Sequence, residues 1–560
     1  MSFISELKRR RLVQVGVAYL VVAWGIAQVA DLLLDNFQME EWIMQVVLVV
    51  LGIGCVVAVI LAWIFDLRWD GLHLESEVAR ELAESAEAIA VPAQEIENES
   101  IAVLPFVNMS SDPEQEYFSD GISEELLNLL AKIPELRVAA RTSAFSYKGK
   151  DTRIDVIGRE LGVAHVLEGS VRKAGNKVRI TAQLIRADNG YHLWSETWDR
   201  TLEDIFDVQD EIAAVVVDQL KITLLKPTPV VQETNPEAYS LYLQARYLTR
   251  QGTPESYEQA LELLARALAI APDYAPAWRQ RGVIYMTQAD RGLRPAHEGF
   301  QLGREATEMA LSLDPNNALA HASMGRIAVS EDQDLAAAAR HMQTALALNP
   351  TDSTILSGAA TLAETLGRVD SAITLQEFIA KRDPVQPIVH SNLGGSYVAA
   401  GRPEAAVACY RTALRLSPGS IGLHANLGLA LLAGGEPDAA MEEIARESYE
   451  ACRLIAEAMA YHDRGLAAES DAALAQMIDK YGDEWAYNIA AVLAYRGEAD
   501  RAFEWLDKAV ENHDSGLIEI VTQPEFRNLH GDPRWHAFLS GIGKSPEQLA
   551  AIEFEVKLPA

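Results

Sequence analysis

Cysteine is scarce in this chain: there are three in 560 residues, Cys55, Cys409 and Cys452. None forms a CxxC pair, so neither a disulfide framework nor a cysteine metal knuckle is expected, as suits a reducing compartment. Basic residues are also short, with 48 Lys and Arg against 80 Asp and Glu and a net charge of -32. A surface of that sign repels phosphate backbones, so no nucleic-acid partner is expected. Catalytic signatures are missing as well: the sequence has no GxxxxGK[ST], HExxH or GxSxG. His462-Asp463 and His513-Asp514 are neighbours in sequence only, which does not aim one side chain at the other. The chain is therefore read as no enzyme, with no catalytic residue, no cofactor and no metal ligand.

What is present begins with two long apolar runs. Leu12–Leu34 follows the basic tetrad Lys8 to Arg11 and is broken only by Gln14, Gln28 and Asp31; Ile43–Phe65 holds Gln45 as its one strongly polar side chain. Each is long enough to cross a hydrocarbon core of about 30 Å as a helix. The intervening loop carries Asp35, Glu40 and Glu41 with no Lys or Arg. The charge bias thus predicts a cytoplasmic N-terminus and, after two crossings, cytoplasmic soluble domains on a bacterial inner membrane. Residues 1–65 are read as this basic N-terminus and hairpin, with spans 12–34 and 43–65. Residues 66–99, with ten Asp/Glu against Arg68 and Arg80, are read as an acidic linker.

At Ile101 the texture changes to IAVLPFV, a short run suited to a buried strand. Ile122, Leu126, Leu129, Leu130 and Ile133 then recur at helical spacing behind Asp120. Lys177 to Arg186 alternates apolar Val178, Ile180, Ala182 and Leu184 with polar neighbours, which predicts a strand with one dry face. Asn189-Gly190 supplies a turn before YHLWSETW, and an amphipathic helix leads to a Pro-containing linker at 226–235. The spacing predicts a small α/β sandwich over 100–225.

The segments IAVLPFVNMSSDPEQEYFSDGISEELLNLL, RTSAFSYKGK, GVAHVLEGSVRKAGNKVRITAQLI and HLWSETWDR resemble the domain shared by FlgO-like proteins and the N-terminal part of TolB. The ELKRR…VGVAYLVVAW stretch is similar to the membrane segment attached to it in bacterial membrane-anchored tetratricopeptide (TPR) proteins, some fused to adenylate cyclase or winged-helix modules. The resemblance implies a fold and no activity: TolB's propeller and a cyclase segment have no counterpart in the residues that follow. Between Arg137 and Arg186 stand eleven Lys/Arg against four Asp/Glu. This island makes Arg141, Ser143, Lys148 and Lys150 a candidate anion site, set against the plainer reading of a solvated hairpin face and loop.

From Pro236 the chain repeats at intervals of about 34 residues, the TPR period. The fullest copy holds Leu393-Gly394, Tyr397, Gly401, Ala406, Tyr410, Ala413 and Pro418, and partial copies predict about eight units over 236–513. A capping segment is expected over 514–560. Stacked helix pairs form an all-α superhelix with a groove for peptides or helices. Arg279, Arg281, His321, His390, Asn392, His424 and Asn426 are the candidate groove residues.

The expected whole is two transmembrane helices, an α/β domain and a TPR α-solenoid, with oligomerisation open. The expected function is a membrane-tethered scaffold that binds protein partners through the groove. The alternative is a ligand-sensing regulator whose α/β domain binds a small anion or nucleotide and controls what the groove holds.

Overall fold

The computed structural model describes residues 65–68, 71–74, 97–133, 135–220 and 233–558. They fall in two compact units, one ending at Glu95 and the other beginning at Ile96. In the first, β1 (Phe65–Arg68) and β2 (Gly71–Leu74) pair antiparallel, with Phe65 opposite Leu74.

The membrane part of the expected fold is corrected. Among the described residues no helix is long and apolar enough to cross a membrane. The longest described helix, Ala296–Leu313, has 18 residues and carries Glu298, Arg304, Glu305 and Glu308, charges that hydrocarbon would not accept unpaired. The expected spans 12–34 and 43–65 lie outside the described residues apart from Phe65. The two-span architecture and the multi-pass inner-membrane location are therefore withdrawn.

The second unit opens with the α/β domain. Its elements are β3 (Ser100–Val103), β4 (Val107–Asn108), α1 (Glu116–Ala131), β5 (Arg137–Val138), α2 (Arg141–Phe145), α3 (Ile154–Leu161), β6 (His165–Ala174), β7 (Lys177–Arg186), β8 (His192–Thr201) and α4 (Ile205–Gln219). The sheet runs β5-β3-β6-β7-β8, with β4 also on β6. β3 lies parallel to β5 and β6, while β6, β7 and β8 form an antiparallel meander. Ile101, Ala102 and Val103 are wholly buried because β3 has neighbours on both edges and helices on both faces. Along β7 the alternation holds: Val178, Ile180, Ala182 and Leu184 are buried, whereas Lys177 and Arg179 face water. Gly190 takes the left-handed conformation, φ 72°, that its turn requires.

The repeat array follows as sixteen helices in eight antiparallel pairs between Pro236 and Glu511. The first helices of pairs one to five are α5 (Pro236–Gln251), α7 (Ala275–Asp290), α9 (Ala318–Ser330), α11 (Ser353–Thr365) and α13 (Pro387–Ala399). The corresponding second helices are α6 (Pro254–Ile270), α8 (Ala296–Leu313), α10 (Leu335–Leu348), α12 (Val369–Arg382) and α14 (Pro403–Leu416). Proline begins several helices at a position where its missing N–H costs nothing, as at Pro236, Pro254, Pro387 and Pro403. Small residues let paired helices touch. A Cβ on Gly394 would come within 2.9 Å of the Tyr410 ring, and Ala406 is fully buried.

The α/β domain does not end at a solvated surface. Phe118, Ile122, Leu126, Phe206 and Ile212 share one core with Tyr239, Leu243, Ala260 and Tyr274 of the first repeats. Gly121 sits so close to Leu243 that a Cβ there would lie 2.7 Å from its Cδ1. At the other end of the array, residues 515–558 run back along the repeats as well as packing on the last pair. Phe526 lies against Tyr487, with ring centroids 5.4 Å apart, and Arg368 donates to the carbonyls of Ile552 and Phe554.

Candidate functional site

The site is the face presented by the first helices of the early repeats, and one helix of the α/β domain lies on it. On α1, Glu116, Asp120 and Glu124 stand four residues apart and so form an acidic stripe on one side. Arg246 and Arg250 make a matching basic step on α5. Arg246 bonds both Glu124 and Glu125, and Arg250 Nη1 donates to Glu124 Oε2 at 2.7 Å. Arg141 Nε adds a third cation, 3.2 Å from Glu124 Oε2. Burial alone would raise the Glu124 carboxyl. The guanidiniums of Arg246, Arg141 and Arg250 more than offset it and hold the group below its ordinary value. Asp120 differs: burial prevails over its Lys148 partner and the group is raised.

A second contact joins the segment 137–143 to the end of α12. Thr142 and Ser143 both donate their hydroxyls to Asp383, Thr142 at 2.5 Å. Ala140 N donates to Arg382 O at 2.9 Å, and Arg137 Nη2 donates to Lys381 O at 2.5 Å. A third contact is Thr351 Oγ1, which donates to Ala131 O at 2.8 Å. Between these contacts lies a cavity of ≈ 1090 Å³, walled by α5, α7, α9 and α11 with Met342 of α10 and Arg382 of α12 on one side, and by α1 and residues 138–142 on the other.

The structure distributes the expected groove residues unevenly. Arg279 lines the cavity, together with Pro276, Val283 and Met286 at i−3, i+4 and i+7 on α7. Arg281, two residues on, instead packs 5.6 Å over both Trp278 and Tyr285 and donates to the Tyr285 hydroxyl at 3.1 Å. His321 Nδ1 stands 3.1 Å from His341 Nδ1, and His390 Nε2 donates to Pro384 O at 2.7 Å. His424 Nδ1 bonds Glu443 Oε2 at 2.8 Å. Asn392 and Asn426 are exposed. The three histidines thus bond within the array, and the cavity wall is built from the register of Arg279.

The expected anion residues are engaged with the chain itself. Arg141 meets Glu124 and lies 4.3 Å over the Phe145 ring. Ser143 meets Asp383; Lys148 Nζ sits 2.7 Å from both Asp120 oxygens and 2.8 Å from Glu116. Lys150 stands 5.8 Å over Tyr147. On the hairpin, Arg179 pairs with Asp199 at 2.6 Å and Arg186 with Asp188 at 2.5 Å. The basic island is largely a set of internal ion pairs. Counting charges by sequence window missed this because the acids that answer Arg141 and Lys148 come from α1, before the window begins.

Two family models match parts of the chain. Residues 97–215 match the second domain of HilA/YgeH-like transcriptional regulators, and residues 327–387 and 391–453 match the tetratricopeptide repeat. The chain carries TPR repeats. Among curated relatives, a protein of Rhizobium meliloti (strain 1021) described as putative adenylate cyclase 3 is 47% identical over 192 residues, 34% of this chain and 33% of that one. Transcriptional regulator HilA of Salmonella typhimurium is 23% identical over 251 residues, 43% of either chain. The chain thus spans less than half the length of these relatives. Among solved structures, the type IV pilus biogenesis factor PilW has a TM-score of 0.33 at 19% identity, over 38% of this chain and 93% of that one. A thermophilic TPR protein of Thermus thermophilus has a TM-score of 0.29 at 21% identity, over 35% and 99%.

Proposed function

We propose that this chain is a non-catalytic scaffold whose TPR array binds protein partners, and that an acidic helix is the shape of ligand its first repeats take. The observation that carries this reading is α1 itself. The array holds it through Arg246 and Arg250 on Glu124 and through a shared apolar core with Phe118 and Ile122. Helix-in-groove recognition uses this combination of apolar anchors and charge steps. The match of residues 97–215 to the second domain of HilA/YgeH-like regulators adds no activity to the proposal.

A peptide copying α1, residues 116–131, tests the reading against the full chain. Binding should weaken when Glu124 in the peptide is replaced by Lys. It should strengthen when Glu124→Ala in the chain loosens the resident helix. Equal binding of both peptides would overturn the acidic-helix chemistry.

A second reading, the sensor, is favoured by one observation: the cavity lies where the α/β domain meets the repeats, so a ligand there would touch both.

A further inference from the structure

The charge of the cavity wall runs against that of the protein. In a chain of net charge -32, the wall carries seven Lys and Arg against Glu124, Glu125, Asp314 and Asp352. Several of these cations are already answered: Arg141, Arg246 and Arg250 share Glu124 and Glu125, and Arg326 pairs with Asp290. Lys132 is exposed to water.

Arg279 and Arg382 are different. Among the described residues the guanidinium of neither makes a hydrogen bond or an ion pair. Arg279 acts on Asp352 only at a distance, and that carboxylate is already committed to capping α11 through Thr354 N and Ile355 N. Arg382 rests 4.7 Å from the Phe378 ring centroid; burial, with Arg137 nearby and Glu97 opposing at a distance, pulls it down to about 10. Both residues are half-buried at the cavity wall, and an anion entering the cavity would give their guanidiniums charge-assisted acceptors. The rest of the wall mixes apolar Val283, Met286, Met342 and Leu362 with uncharged polar residues such as Asn128 and Asn317. The cavity lies just above the range usual for small-molecule sites, roughly 300–1,000 Å³.

We propose that this cavity binds a small organic anion, its phosphate or carboxylate oxygens held by Arg279 and Arg382 and its less polar body against Met286 and Leu362. Arg279 belongs to the second repeat and Arg382 to the end of the fourth, beside the Thr142–Ser143–Asp383 contact. A bound anion therefore bridges the second and fourth repeats next to the seam with the α/β domain. This inference does not depend on which protein the array binds.

The test is isothermal calorimetry and thermal unfolding of the full chain with AMP, ATP, pyrophosphate and citrate. The nucleotides and pyrophosphate report phosphate recognition, and citrate reports carboxylate recognition. At least one probe should bind with one-to-one stoichiometry and raise the melting temperature. Arg279→Ala with Arg382→Ala should weaken that binding by about tenfold or more, since each removes a charge-assisted contact. Arg279→Gln with Arg382→Gln serves as the milder pair should the alanine variant unfold. Arg464→Ala, a remote surface change beside Asp438, should leave binding unaltered. Hydrogen exchange at 137–143 and 379–383 should slow on binding. No binding by any probe, or equal binding by the paired variants and the wild type, would overturn the proposal.

Discussion

Arg250 and Glu124 lie 126 residues apart in sequence and meet at 2.7 Å, joining the first TPR helix to the first helix of the α/β domain. Around them Arg141 and Arg246 complete a node in which three guanidiniums share one buried carboxylate, its side chain 8% exposed. The node sits at the rim of a common apolar core, so charge and packing fasten the same seam.

Glu124→Ala should therefore cost more than a surface pair would. Removing one partner of a buried ion pair leaves uncompensated charge and is expected to cost about 3–5 kcal/mol. Chemical denaturation measures this, and proteolysis should cut first near 131–140, where the seam opens. Because the Glu124 carboxyl is held below its ordinary value, its contribution is present above the unfolded pKa and fades as pH falls through the lower, folded one. The acid limb of the stability curve should shrink in Glu124→Gln.

Glu364 predicts the opposite slope. Burial pushes its carboxyl from 4.5 up to about 7, Ser396 donates to it, and Glu519 adds repulsion. The folded state then holds a proton that the unfolded state has released. Its contribution is complete below pH 4.5 and is lost as pH rises through about 7. Glu364→Gln should flatten melting temperature against pH across that window, while a variant with the same slope as the wild type would contradict the assignment.

Helix contact inside the array is tested by two glycines. A Cβ on Gly428 would meet Ile444 Cγ1 at 2.5 Å and the Ala440 carbonyl at 3.0 Å, whereas Gly419 has nothing within 4 Å. Gly428→Ala should destabilise by about 1–3 kcal/mol through overpacking. Gly419→Ala should stay within about 0.5 kcal/mol of the wild type. Urea midpoints at constant slope separate the two.

Replacing His390, Asn392, His424 and Asn426 together by Ala should leave far-ultraviolet circular dichroism unaltered. Two of the four are exposed, and the two histidines forfeit single hydrogen bonds worth about 1 kcal/mol each. The same substitutions should leave binding of the α1 peptide unchanged, because the wall of the site follows the register of Arg279. A large loss of affinity would place the groove on the histidine face instead.

Local periodicity by itself was enough for several elements of the α/β domain and the repeats. The alternation Val178, Ile180, Ala182, Leu184 fixed a strand with one dry face, and Ile122, Leu126, Leu129, Leu130 fixed the buried side of α1. The turn glycines Gly367, Gly401 and Gly435, spaced 34 residues apart, fixed the repeat. These relations span a few residues or one repeat, so strand and helix geometry carries them directly. Only the tertiary structure decided that Arg279 faces a cavity while Arg281 packs on Trp278, and that the acids answering the basic island lie on α1. It also decided that the first repeats are covered by the chain's own domain. Those outcomes depend on how a solenoid of eight helix pairs curves past a sheet, bringing Ser143 to Asp383 across 240 residues. No period in the sequence records that curvature.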